Sequence, residues 1–126
     1  MVIVADSSAI LAHIFSEQGG EWFDTEDRDI VISTVNVTEV VSKLLERGWA
    51  LQEAVDDLEM LGLRAAEHSV HHAYGAAALQ AVTRHKGLSL GDRACLALAI
   101  RENATVFTAD RDWADLDVGC TIELIR

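Results

Sequence analysis

Residues 2–10 read Val2-Ile3-Val4-Ala5-Asp6-Ser7-Ser8-Ala9-Ile10. Three β-branched residues and an alanine have the composition of a short buried strand. After Asp6 the chain continues SSAILAHIF, with its apolar residues at helical spacing. A strand therefore delivers a carboxylate to a helix N-terminus. There Asp6 has two readings: a cap that accepts hydrogen bonds from the orphan amides of the first turn, or a metal ligand.

The same alternation of strand and helix signals continues along the chain. GGEW and the acidic TEDRD separate the first helix from IVIS at 30–33, a second strand. In NVTEVVSKLLER, 36–47, the residues Val37, Val40, Val41, Leu44 and Leu45 form the apolar stripe of an amphipathic helix that Gly48 ends. A helix over 50–61 closes at Gly62, and LRAAEHS is a weak third strand. Helices follow over 70–86 and 91–103, the second apolar on nearly all sides and so buried. TVFTAD, 105–110, is the fourth strand and CTIELI, 120–125, a fifth at the sheet edge. This order predicts an α/β fold of three layers, α/β/α, with a central parallel sheet of four to five strands flanked by helices. In such sheets ligands sit beyond the carboxyl ends of the strands, where strand order reverses.

The chain has 126 residues, which fits one domain over 1–126 with a single compact core. Its formal charge is −11, from 21 acidic and 10 basic residues, which excludes a protein that coats nucleic acid through a general excess of lysine and arginine. A nucleic-acid role has to be local, carried by metal ions or by a few arginines on one face. Cys95 and Cys120 are too few for a disulfide framework and lack metal-site spacing. No secretion signal opens the sequence and no apolar run is long enough to span a membrane, so the expected location is the cytoplasm.

Asp6 ends the first strand and Asp110 the fourth, and the helices starting near Asn36 and Gly91 carry Glu39 and Asp92 in their first turns. Each acid has a structural reading. Asn36 to Glu39 and Ser89 to Asp92 have capping-box spacing, and Asp110 can close a turn. Glu39 also lies opposite the apolar stripe of its helix, as a solvated acid would, unless the stripe faces another helix and Glu39 faces the cleft. Convergence favours the metal. Carboxylates about 5–6 Å apart repel by about 3 kcal/mol per pair at an effective dielectric near 20. A divalent cation relieves this, and an oxygen-only donor set selects Mg²⁺ or Mn²⁺ rather than zinc.

The motifs ADSSAIL, ISTVNVTEV, LSLGDRACLALA and TVFTADRDWADL resemble, end to end, those of the PIN domain, specifically VapC-type ribonuclease toxins of bacterial toxin–antitoxin pairs. The resemblance implies catalytic and metal-binding acids at Asp6, Glu39, Asp92 and Asp110, with Mg²⁺ (or Mn²⁺) as cofactor and RNA as substrate. It also implies a homodimer and a cognate VapB-type antitoxin. Ser8 and Thr108 match hydroxyl positions beside the acids, and Asn36 a polar position nearby. Arg93 replaces the small residue common after the third acid, as an RNA contact or a partner for Asp92. Asp112 is a supplementary ligand candidate. The acidic pocket suits inhibition by a basic C-terminal arm of the antitoxin.

Rival readings are a PIN-like binding module without catalysis and a receiver-type signalling domain. The receiver requires a lysine at the end of a late strand, whereas Lys43 and Lys86 both lie in helical segments. His13, His68, His71, His72 and His85 show no ligand pattern and suit surface or capping roles, and Trp22, Trp49 and Trp113 suit packing.

Overall fold

In the computed structural model, which describes residues 1–24 and 28–126, the first strand β1 (Val2–Ala5) lies at the centre of the sheet. Residues 25–27, within the acidic TEDRD stretch, lie outside the described residues. Ile3, Val4 and Ala5 are wholly inaccessible to solvent, as a strand covered on both faces requires. α1 (Ser7–Ile14) follows, then β2 (Asp29–Ser33), α2 (Thr34–Glu46), α3 (Leu51–Met60) and β3 (Arg64–Ala66). α4 (Val70–Thr83), α5 (Leu90–Glu102), β4 (Thr105–Thr108) and β5 (Ile122–Leu124) complete the chain.

The five strands are all parallel, in the order β3-β2-β1-β4-β5. From β1 the chain builds outward through β2 and β3, then crosses over to add β4 and β5 on the other side. Strand order reverses beside β1, so the switch point falls between the ends of β1 and β4. Ile3 pairs with Ile30 and Thr105, and Ala5 with Phe107.

Strand alternation divides the core into two slabs. Ile3, Ala5, Ile30, Ile32 and Phe107 pack with Ile10 of α1 and Val40 and Leu44 of α2. Val4, Val31 and Val106 pack with Leu79 of α4, Leu96 and Leu98 of α5, and Trp113. The expected three-layer α/β/α fold is thus present. Within α5, every residue from Ala94 to Ala99 is buried, in keeping with its apolar circumference.

Four boundaries differ from the sequence expectation. α2 begins at Thr34 rather than Asn36, because Ser33 is its cap and accepts the Val35 amide. α4 stops at Thr83 and residues 84–86 form a 3₁₀ turn closed by Gly87 in the left-handed region, where φ is 62°. β3 is only three residues long, and β4 ends at Thr108, two residues before Asp110.

Candidate active site

Asp6 emerges from the carboxyl end of β1 into the switch point and is only 5 % exposed. It occupies the N-cap position of α1, yet its side chain makes no capping bond. Instead Ser8 Oγ donates to Asp6 Oδ2 at 2.6 Å and Thr108 Oγ1 donates to the same oxygen at 2.8 Å. Both hydroxyls are themselves fixed: the Ala109 amide donates to Ser8 Oγ at 2.9 Å and the Asp110 amide to Thr108 Oγ1 at 3.0 Å. This small network joins the end of β1, the first turn of α1 and the end of β4. Oδ1 of Asp6 is left without a hydroxyl donor.

Glu39 lies in the second turn of α2, so Asn36 and Glu39 are helical residues and do not form the capping box that their spacing allows. Asn36 is fully buried and points across to α5, donating through Nδ2 to Glu39 Oε1 at 2.8 Å and to the Gly91 carbonyl at 3.1 Å. Ser7 Oγ also donates to Glu39 Oε1. The glutamate is not the solvated acid that the stripe geometry suggests: it is half-buried, with its carboxylate against Gly91. A Cβ at position 91 would strike that carboxylate, so α2 and α5 approach this closely only because residue 91 has no side chain.

Asp92 forms the predicted capping box. Its Oδ2 accepts the Ser89 amide at 3.0 Å while Ser89 Oγ accepts the Asp92 amide at 3.2 Å. Asp110 caps a short 3₁₀ turn, its Oδ1 accepting the Asp112 amide at 3.0 Å. Each of these bonds occupies one carboxylate oxygen.

The acids interact through their charges. Burial, followed by the negative charges of Asp92 and Glu39, pushes Asp6 up to about 6 against the opposing hydrogen bonds from Ser8 and Thr108. Asp92 is raised as well, mainly by burial, with Glu39 and Asp110 adding repulsion. An all-oxygen, mutually repelling donor set suits a hard divalent cation. As placed, the side chains do not close on a single point: among the described residues, no three His, Cys, Asp or Glu groups are arranged to hold one ion. Each of these acids is bonded locally through one oxygen, Glu39 to Ser7 and Asn36, Asp92 to its cap and Asp110 to its turn.

The supporting candidates separate. Ser8, Thr108 and Asn36 touch the acids directly. Asp112 is exposed and reaches Asp110 through its backbone amide. Arg93 turns away, donating from Nη1 to the Ala76 carbonyl of α4 at 3.1 Å; it forms no ion pair with Asp92.

Ser7 and Gly91 belong to the site although the sequence reading did not select them. Capping-box spacing made Asn36 a reason for Glu39 to be structural, whereas the Asn36 bridge to Gly91 depends on α5, 55 residues away. Lys86 lies close by, pairing with Asp115 at 2.7 Å. The Asp115 carboxylate, with Asp112 and Asp110 beyond it, holds the Lys86 ammonium above its ordinary range.

A family model described as PIN domain matches residues 3–119. No curated protein matches the chain. Its fold is similar to that of VapBC2 from Rickettsia felis, solved bound to a promoter DNA fragment, with a TM-score of 0.79, 17 % identity and 98 % of each chain covered. DNA-bound VapBC from Salmonella typhimurium gives a TM-score of 0.75 at 18 % identity, covering 100 % of this chain and 99 % of that one. VapBC-5 from Mycobacterium tuberculosis gives 0.68 at 23 % identity, covering 99 % and 98 %.

Proposed function

The chain belongs to the PIN domain family, and from that premise we propose that it is a metal-dependent endoribonuclease, the toxin of a VapBC-type pair. The observation that carries this reading is the buried Asp6 carboxylate at the switch point, facing the charges of Glu39 and Asp92. A structural acid at that depth would be matched by a cation. Here its neighbours are acids and hydroxyls.

Asp6, Glu39, Asp92 and Asp110 are the residues that would hold Mg²⁺ or Mn²⁺. Such an ion supplies charge neutralisation at the phosphodiester and makes water more acidic. The protein's own part is orientation. Ser8 and Thr108 fix one oxygen of Asp6, while Ser7 and Asn36 fix one of Glu39, so these two carboxylates lose little freedom when they engage a ligand. With a proton affinity near pH 6, Asp6 is also placed to exchange a proton near neutrality when no metal is bound.

The similarity to VapBC complexes supports a cognate antitoxin. Between α2 and α3 an apolar cavity of about 210 Å³, lined by Val37, Val41, Leu58 and Leu63 among others, suits the anchor residues of an amphipathic helix. A basic arm beyond that helix complements the acid cluster through fork-shaped arginine pairing.

The test is incubation of the purified protein with cellular RNA, with and without EDTA. Cleavage is expected to require Mg²⁺ or Mn²⁺, to leave 5′-phosphate and 3′-hydroxyl ends, and to vanish in Asp6→Asn. Cyclic 2′,3′-phosphate ends, or cleavage insensitive to EDTA, would overturn the mechanism. Metal binding without cleavage would favour a non-catalytic binding module.

A further inference from the structure

The acid cluster repels an RNA strand except where a metal sits, so the phosphates flanking the scissile bond need cations elsewhere. Three of the ten basic residues gather at one side of the site. A cavity of about 370 Å³ opens at Ser8, the residue bonded to Asp6, and its wall carries Lys43, Arg47 and Arg126 against Glu17 and Glu46, beside Phe15. The Arg47 guanidinium lies over the Phe15 ring, 4.3 Å from its centre, which holds a planar cation in place at the rim. Lys43 pairs with Glu46 at 3.1 Å, and Arg126 lies 3.5 Å from Glu17. Both pairs are solvent-exposed and so weak, and a phosphate competes with them readily. Arg111 adds a fourth cation nearby, donating to the Arg126 carbonyl at 2.9 Å.

We propose that this cavity, which leads from Ser8 between α1 and the C-terminal half of α2, is the path of the single-stranded RNA flanking the scissile bond. Lys43, Arg47 and Arg126 take its phosphates. The inference rests on the ribonuclease reading and adds the direction in which the strand leaves the acids. A basic antitoxin arm is the poorer fit here, because three cations line the cavity against two glutamates, Glu17 and Glu46. A polyanion fits by charge, and the Phe15–Arg47 stack offers a flat surface to a base at the rim.

Two double variants remove the same charge, one inside the cavity and one outside its lining. Lys43→Gln/Arg47→Gln empties the cavity, while Arg64→Gln/Arg101→Gln acts at the start of β3 and the end of α5. Both are placed in an Asp6→Asn background, which keeps the RNA intact. Binding of a fluorescein-labelled mixed-sequence RNA of about 12 nucleotides is followed by anisotropy across ionic strength in Mg²⁺. The cavity variant is expected to bind roughly tenfold more weakly at about 0.1 M salt, with a log–log salt slope smaller by about 1.4, two single-strand phosphate contacts. The distal variant should stay within roughly twofold of the parent. If melting shows the cavity double variant unfolded, Arg126→Gln takes its place, with a slope change of about 0.7 expected. Equal loss in the cavity and distal variants, while the protein with Asp6 intact cleaves RNA, overturns the strand path and leaves the nuclease reading standing. If the protein with Asp6 intact cleaves no cellular RNA, the nuclease reading fails and the strand path fails with it.

Discussion

Asp6 concentrates the conflict between stability and function at a single carboxylate. Its folded-state value of about 6 lies above the ordinary 3.8, so the fold prefers the protonated form. That contribution is fully present below about pH 4 and is lost as the pH rises through 6; the ionised group then costs about 3 kcal/mol. Metal-free protein should therefore lose stability across this window. Asp6→Asn should flatten that dependence and raise the melting temperature at pH 8 by several degrees, roughly 4 °C or more, while abolishing RNA cleavage. Melts at pH 4.5 and pH 8 in EDTA check the sign, and a variant less stable than its parent at pH 8 would contradict the desolvation account. Thr108→Val tests the hydroxyl network. It removes a donor from Asp6 and an acceptor from the Asp110 amide, so the Asp6 value should climb further and stability fall by about 1–3 kcal/mol. Carboxyl titration followed by NMR reads the first effect and denaturant unfolding the second.

At the scale of elements, the contact of α2 with the first turn of α5 is the feature that makes Glu39 part of the site. Gly91→Ala exposes this dependence because the two effects of the substitution oppose each other. Alanine improves the helix, by less than the roughly 1 kcal/mol of an interior position because residue 91 lies in the first turn, yet its methyl group meets the Glu39 carboxylate. Since the obstructing atoms are the end of a flexible side chain, the helix should persist and Glu39 should move. Unchanged far-UV circular dichroism together with a loss of RNA cleavage of at least tenfold is the expected pair of results. Full activity in Gly91→Ala would mean that the seat of Glu39 against α5 does not matter. The α5 cap gives the complementary case: Ser89→Ala should cost about 1 kcal/mol, measured by thermal melting, because it removes the acceptor for the Asp92 amide.

For the whole molecule, charge and exposed apolar surface act against each other. The outer face of α4 leaves Val70, Tyr74 and Val82 at 63 %, 71 % and 56 % exposure, a surface suited to the homodimer that the family resemblance implies. A formal charge of −11 per chain opposes that association, so sedimentation should show the dimer strengthening as salt rises and Tyr74→Glu dissociating it. The antitoxin should behave in the opposite way. The basic arm proposed for it would be drawn by the same field, so association should slow with salt while dissociation, governed by buried contacts, changes little. Stopped-flow kinetics of the complex, with the arm's arginine replaced by alanine, check this; undiminished inhibition would place the arm outside the acid cluster.

By itself the sequence determined the layers, the parallel sheet and the positions of Asp6, Asp92 and Asp110 at one edge of it, because period and capping chemistry are local. The β-branched run of β1 and the all-round apolar α5 needed no knowledge of their neighbours. The Ser89–Asp92 box was legible for the same reason, as was the burial of α5. Local spacing misassigned Asn36 and Glu39, because the same three-residue interval serves a cap and a mid-helix pair, and only the start of α2 at Thr34 separates them. Tertiary structure alone decided the rest. Asp6 turns from a cap into an acceptor of Ser8 and Thr108 because β1 and β4 are neighbours, 102 residues apart in sequence. Arg93 points to α4 rather than to the acids because the Ala76 carbonyl lies within its reach. The cations beside Ser8 come from α2 and the last residue of the chain, and no period in the sequence relates them. Contacts of that kind depend on which strands adjoin, and strand order is set by the packing of whole elements rather than by any residue's neighbours along the chain.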